Sequence, residues 1–302
     1  MKSEDGEPMV GAVREPPLLV TCHLPLATPD GLYLYCFARP GAAQGVGVPG
    51  VDGSQGIAEV GCPLPAMGAG RVAAIVSRVS LADFSGEVAD ENTQNPEWVV
   101  PRACRHQHVV QAVMERSPVL PVRFGAVFSS GRRLEDLLRD KGEQIVGFLD
   151  WVSGKEEWAV KGMVDFDRAA AWLRASDPAL AEQHDHLSES PGARYFQERR
   201  LRVAAQERLK PWCRAIAGQV QQQLDADAVD ARPLRLLALG VPGKGAQMVF
   251  HRAFLLPRER VAEFLARVER VGADRAGQGL ALAASGPWPP YTFSPPLWEA
   301  LG

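Results

Sequence analysis

Residues Glu157–Val164 read Glu-Trp-Ala-Val-Lys-Gly-Met-Val. Trp158, Val160 and Val164 fall on one side of a period-two pattern, and Glu157 and Lys161 on the other. That alternation predicts a strand with one apolar face. The elements after it decide the fold. Residues 175–192 are polar and are expected to form a loop. Leu201, Ala205, Leu209, Trp212, Ile216, Val220 and Leu224 then recur at spacings of three and four, which predicts a long helix from about Ala193 to Leu224, with Pro211 as the place for a kink. Leu234–Leu239 reads as a strand, Gly240–Gly245 as a turn and Met248–Leu256 as the return strand. Pro257 opens a helix with the stripe Val261, Phe264, Leu265, Val268 and Val271, and Gly279–Ala284 is the last strand. The order over 156–285 is βαββαβ, the ferredoxin-like split arrangement, with an antiparallel sheet on one side and two helices on the other.

Toward the N-terminus, residues 132–152 predict a helix whose stripe is Leu134, Leu138, Ile145, Phe148 and Val152, closed by Ser153-Gly154. Val119–Phe128 is an extended apolar run broken by Pro121 and Gly125. Asn95-Pro96-Glu97 carries an N-cap residue, a proline for the first helical position and an acid in the first turn, and starts a helix reaching about Arg116. Leu32–Ala38, Ile57–Val60 and Val72–Val79 read as strands. The fold class is therefore α+β in two domains: a loose arm over 1–30, an N-terminal α+β domain over 31–130, and a leading helix with the ferredoxin-like domain over 131–285. A tail rich in Pro and Trp, 286–302, follows.

That tail opens Gly286-Pro-Trp-Pro-Pro-Tyr-Thr-Phe293. Its prolines fix φ and remove backbone donors, so the segment must run extended and outside any central strand. Trp288, Tyr291 and Phe293 carry a large apolar area. The expectation is a strap packed on its own sheet, with its aromatic rings able to anchor a partner.

Composition excludes several classes. The chain has 302 residues and a net charge of −3, so no overall basic field draws it to nucleic acid or to a lipid membrane. Five scattered cysteines without Cys-x-x-Cys fit a reducing cytoplasm rather than a disulfide or zinc framework. No apolar run reaches the roughly 20 residues that span a bilayer.

Few motifs suggest chemistry. Gly45-Val-Gly47-Val-Pro-Gly50 matches a dinucleotide fingerprint, but a helix must start there to face a pyrophosphate, and more loop residues follow instead. Gly240–Gly245 lacks the spacing of a P-loop. On a helix, Cys104 and His108 share a face but His106 lies nearly opposite, so His106 is expected to pack or hydrogen-bond within its domain. Arg199, Arg200 and Arg202 read as a solvated face. Arg123, in an apolar run beside Phe124, is expected to be paired, because burying a guanidinium alone is costly; a partner-binding role is the second reading. No catalytic, cofactor or metal residue stands out. The candidate structural or partner-binding residues are Arg123, Phe124, Trp288, Pro289, Pro290 and Tyr291.

Several of these segments, in order, resemble the gas vesicle protein F/L family. They are the aromatic strand Leu32–Tyr35, the strand Val72–Val79, the Trp98 to His106 helix, Pro121-Val-Arg-Phe-Gly-Ala-Val-Phe128, Glu157-Trp-Ala-Val-Lys161, and the Gly286–Tyr291 motif. Ala126 and Thr292 stand where the family usually has Thr and Ser; the arm 1–30, the Gly-rich loop 41–56 and Phe250–Ala253 depart from it, which leaves the F and L subgroups undistinguished. The resemblance covers about 30–293. It implies a non-enzymatic accessory protein of gas vesicle formation, located at the gas vesicle and in the cytoplasm. It also implies contact with the major hydrophobic shell protein and other accessory proteins during assembly, and it allows retention as a minor vesicle component. The alternative from the residues is a ferredoxin-like small-molecule sensor or enzyme, which would need a deep pocket lined by His251, Arg252 and acidic groups.

Overall fold

The computed structural model describes residues 30–53, 56–62, 72–84, 86–237 and 245–297. In order, the elements begin with β1 (Asp30–Ala38), β2 (Ala58–Cys62), β3 (Val72–Ser80), α1 (Leu81–Phe84), α2 (Gly86–Gln94) and α3 (Pro96–Met114). Next come β4 (Val119–Pro121), β5 (Val127–Phe128), α4 (Gly131–Val152), β6 (Lys155–Asp165), α5 (Phe166–Ser176) and α6 (Pro178–Asp185). The chain continues through α7 (Pro191–Asp225), β7 (Asp230–Pro233), β8 (Ala246–Pro257), α8 (Val261–Arg275) and β9 (Leu280–Trp288).

The first sheet has the order β2-β3-β1-β4, with β5 also paired to β1. The second has the order β7-β8-β6-β9, and its neighbours are antiparallel throughout. Side chains alternate between the faces of each strand, so each sheet contributes to two cores. Tyr33, Tyr35, Ile75 and Val79 of the first sheet pack with Val109, Val110 and Val113 of α3. Leu34, Phe37, Ala74 and Val76, from its other face, pack with Leu134, Leu138, Ile145 and Leu149 of α4. The same cluster takes in Ala253 and Leu255 of β8 together with Phe293 and Leu297. Val160, Val164, Phe250 and Phe254 point away from it into the helical layer of α5, α7 and α8. The layers therefore run α3, first sheet, α4 with the strap, second sheet, helices.

Three local expectations change. The stretch 175–192 is largely helical: Asp165 Oδ1 accepts the amides of Asp167 and Arg168 and opens α5, and Asp177 Oδ1 accepts those of Ala179 and Leu180 and opens α6. The strand expected at Leu234–Leu239 lies earlier, at Asp230–Pro233, where Asp230 pairs with Leu255 and Pro233 with Arg252. Leu236 and Leu237 are left half-exposed, and 238–239 of the expected strand, 240–244 of the expected turn and 1–29 of the expected arm lie outside the described residues. Finally, the face of the second sheet opposite the helices is covered at one end, where Glu157 and Ala159 are buried, Glu157 against Thr292 of the strap, while Lys161 is exposed. No helix among the described residues is long and apolar enough to cross a membrane.

Candidate functional site

β9 is an edge strand, so it can carry Pro287 without losing a ladder bond to an outer neighbour. It pairs with β6 as far as Trp288, which lies opposite Glu157. Gly286 lets it approach: a Cβ there would lie 2.8 Å from the Trp158 ring and 2.9 Å from the Glu157 carbonyl oxygen, at φ +152°. Pro289 and Pro290 are buried, whereas Trp288 is 40% exposed, its indole N–H donating to Ser285 Oγ at 3.2 Å.

Thr292 is gripped from two sides. Its hydroxyl and amide donate to the Glu157 carboxylate at 2.6 and 3.1 Å, and its carbonyl accepts from Arg232 Nη1 at 2.9 Å. Asp230 Oδ2 fixes the Arg232 guanidinium, which also lies 5.0 Å above the Phe293 ring. Phe293 is 2% exposed and meets Trp151 edge-on. Burial pushes the Glu157 carboxyl up to about 7, against the lowering effect of its two Thr292 bonds and of Arg232.

Tyr291 reaches the first sheet. Its phenolic oxygen lies 3.2 Å from His106 Nε2, which is also 3.0 Å from the Val122 carbonyl oxygen. A carbonyl only accepts, so Nε2 carries the proton and Nδ1 accepts the hydroxyl of Tyr33 at 3.0 Å. The Tyr33 oxygen in turn accepts the Gly125 amide at 3.1 Å. Burial holds the imidazole neutral, lowering its pKa to about 4. His106 thus behaves as expected, bonding inside the fold, and it joins the two proline-containing motifs that lie far apart in sequence.

Arg123 is not the buried clamp that its apolar neighbours suggested. β4 and β5 both pair with β1, and the residues between them bulge outward at Gly125, φ +97°. Pro121 and Val122 are buried, Arg123 is exposed, and it makes no hydrogen bond or ion pair among the described residues. Phe124 turns inward, with its ring 6.0 Å from those of both Tyr33 and His106. Of the six candidates, Pro289, Pro290, Tyr291 and Phe124 build the junction, and Arg123 and Trp288 stand on its surface. The residues that sequence reasoning missed are Glu157, Arg232 and Thr292. The signal available was a glutamate at an inward position of a strand, next to an otherwise apolar face.

Pro287, Trp288 and Pro290 also line a cleft of about 370 Å³, together with Met114–Val119, Lys155, Glu156 and Arg258. A second cleft of about 440 Å³ lies between the Gly45–Val48 loop and His108, Gln111 and Ala112 of α3, with Glu115 just past its end. Among the described residues no helix opens after Gly50, and the Gly41 and Ala43 amides of that loop already donate to the Glu59 carboxylate at 2.9 and 2.7 Å. His251 and Arg252 line neither cleft; they bond to the Arg235 carbonyl and to Asp225. Among the described residues no group of three His, Cys, Asp or Glu side chains could hold a metal ion.

Comparison with known proteins gives a consistent result. A family profile described as gas vesicle synthesis protein GvpL/GvpF matches residues 31–295. Gas vesicle protein L of Streptomyces sp. (strain CB03234) is 29% identical over 266 residues, covering 87% of this chain and 92% of that protein. Gas vesicle protein F of the same organism is 28% identical over 190 residues, 62% of this chain and 75% of that one. In structure, this fold is similar to crystalline gas vesicle protein GvpF from Anabaena sp. PCC7120, with TM-score 0.61, 18% identity and coverage of 88% and 98%.

Proposed function

This chain belongs to the gas vesicle synthesis protein GvpL/GvpF family, with a role in gas vesicle formation, and from that membership we propose that it is a non-enzymatic assembly factor that binds the hydrophobic shell protein. The observation that carries this reading is the match across 31–295, which takes in both proline-containing motifs and the His106 junction between them. Shell subunits that are strongly apolar aggregate unless a partner covers them. The exposed Arg123 and Trp288, held on a rigid junction, are suited to such a contact. We read its site of action as the growing gas vesicle, and the second unit as ferredoxin-like on the strength of its β7-β8-β6-β9 order. The small-molecule alternative is not favoured, because His251 and Arg252 are engaged elsewhere and border neither cleft.

The test is co-purification of the intact chain with the major shell protein of its own host. Capture is expected. Failure to capture it, in conditions where the shell protein is kept soluble, would overturn the binding mechanism.

A further inference from the structure

The first half of α7 carries a basic, aromatic face that no other element among the described residues covers. Residues 191–200 are exposed except for the half-buried Gln197, and the stripe that packs on the body begins at Leu201. Tyr195 and Phe196 are each 62% exposed and Val203 is 49% exposed. Helical spacing places Phe196, Arg199, Val203 and Lys210 on the side away from Leu201. Between Pro191 and Arg214 there are seven Arg and Lys residues against two Glu, a local charge of +5 in a chain whose net charge is −3. Arg194 is bonded to Glu198 and Arg208 to Asp177, but Arg199, Arg200, Arg202, Lys210 and Arg214 meet no carboxylate among the described residues.

A merely solvated helix face has no use for this combination. Arg199 and Arg202, and likewise Lys210 and Arg214, are like charges three and four positions apart and repel one another, and two aromatic rings in water forgo the stabilisation that burial gives. Both costs are relieved by one kind of occupant. We propose that this face docks an acidic, apolar helical segment of another protein, with its hydrophobic side chains over Phe196 and Val203 and its carboxylates against Arg199, Arg200 and Arg202. An anionic membrane fits less well. A helix lying in a lipid interface needs an apolar face along its length, and beyond Val203 the outward positions are Gln206, Glu207, Lys210 and Arg214. The inference does not depend on the shell-protein reading.

The experiment places photoreactive benzoylphenylalanine at position 196 of the full chain, in cells of its own host, with Val88 as an exposed control position. Irradiation is expected to give an adduct with a second protein whose cross-linked peptide, mapped by mass spectrometry, is net acidic around apolar residues. The R199E/R200E/R202E background should lower that adduct by about tenfold or more, as loss of interfacial charge pairs does. Its melting temperature should not change, because the three side chains are exposed and unpaired. R199Q/R200Q/R202Q should give a smaller loss in the same direction. Adducts with lipid, with a second copy of this chain or with a basic peptide would overturn the proposal, as would an adduct insensitive to charge reversal or none above the control. An acidic partner from outside the gas vesicle system would leave this inference standing and count against the assembly role.

Discussion

His106 Nε2 and the phenolic oxygen of Tyr291 lie 3.2 Å apart, joining helix α3 to the C-terminal strap across 185 positions of sequence. The contact ties the strap to the first sheet, while Thr292, one residue on, is held by Glu157 and Arg232 of the second. The strap is thus a structural tie between the two sheets, with Phe293 and Leu297 as its apolar anchors.

Tyr291→Phe should cost about 0.5–1.5 kcal/mol, the usual net value of one hydrogen bond. The loss stays small because His106 Nε2 keeps the Val122 carbonyl as acceptor. His106→Ala should cost several times more, since the Tyr33 hydroxyl and the Val122 carbonyl lose a partner in a buried site. In the His106→Ala background, the Tyr291→Phe loss should shrink toward zero. Chemical denaturation of the four proteins measures this coupling, and additive losses would contradict it.

Glu157 and His106 predict opposite responses to pH. The Glu157 carboxyl is raised in the fold from an ordinary 4.5 to about 7, so its contribution to stability is full below pH 4.5 and is lost as pH rises through 7. The His106 imidazole is lowered from 6.5 to about 4, so its contribution is present above pH 6.5 and is lost as pH falls through 4. Each is on the order of 3 kcal/mol at about 1.4 kcal/mol per unit. Between pH 4.5 and 6.5 they offset one another, and wild-type stability should vary little. Glu157→Gln keeps an acceptor for Thr292 but removes the carboxyl titration, so this variant should lose stability steadily as pH falls below 6.5. Parallel curves for the two proteins would remove Glu157 from the argument.

The long elements were legible because their periodicity is strong. The stripe from Leu134 to Val152 appears as read, that from Leu201 to Leu224 does so except that Cys213 is buried in place of the expected Trp212, which is half-buried, and Asn95-Pro96 caps α3 with the Asn95 side chain accepting the Glu97 amide. Asp177-Pro178 carries the same signal, yet the surrounding polarity of 175–192 masked it. Arg123 shows a different limit. A run of apolar residues reads as continuous burial, but a bulge between two short strands reverses the direction of one side chain. The grip of Glu157 on Thr292 is a pairing between residues 135 positions apart, and a single sequence holds no record of such pairings.

Gly286→Ala tests how tightly the strap must lie on β6. The added methyl would sit 2.9 Å from a backbone oxygen and 2.8 Å from the Trp158 ring, at a φ that side chains rarely adopt. Neither neighbour is the free end of a flexible chain, so the strand must shift outward. A destabilisation of about 1–3 kcal/mol is expected from strain of this kind, with loss of hydrogen-exchange protection concentrated in β9. An unchanged melting temperature would mean that β9 has slack that the geometry does not show.

Arg123→Ala and Trp288→Ala separate folding from recognition. Arg123 is exposed and unpaired, so its loss should change stability by no more than about 0.5 kcal/mol. Trp288 is 40% exposed and among the described residues its side chain keeps one hydrogen bond, to Ser285, so truncating it should cost less than the about 3–5 kcal/mol expected for the buried Phe293→Ala. If the junction surface meets the shell protein, both exposed-residue variants should fold and melt like wild type or nearly so, yet capture less of that protein in co-purification. The pairing of variants matters, because deleting the tail outright would remove Phe293 and Leu297 from the shared core and confound binding with unfolding. Full capture by the folded double variant would move the contact away from this junction.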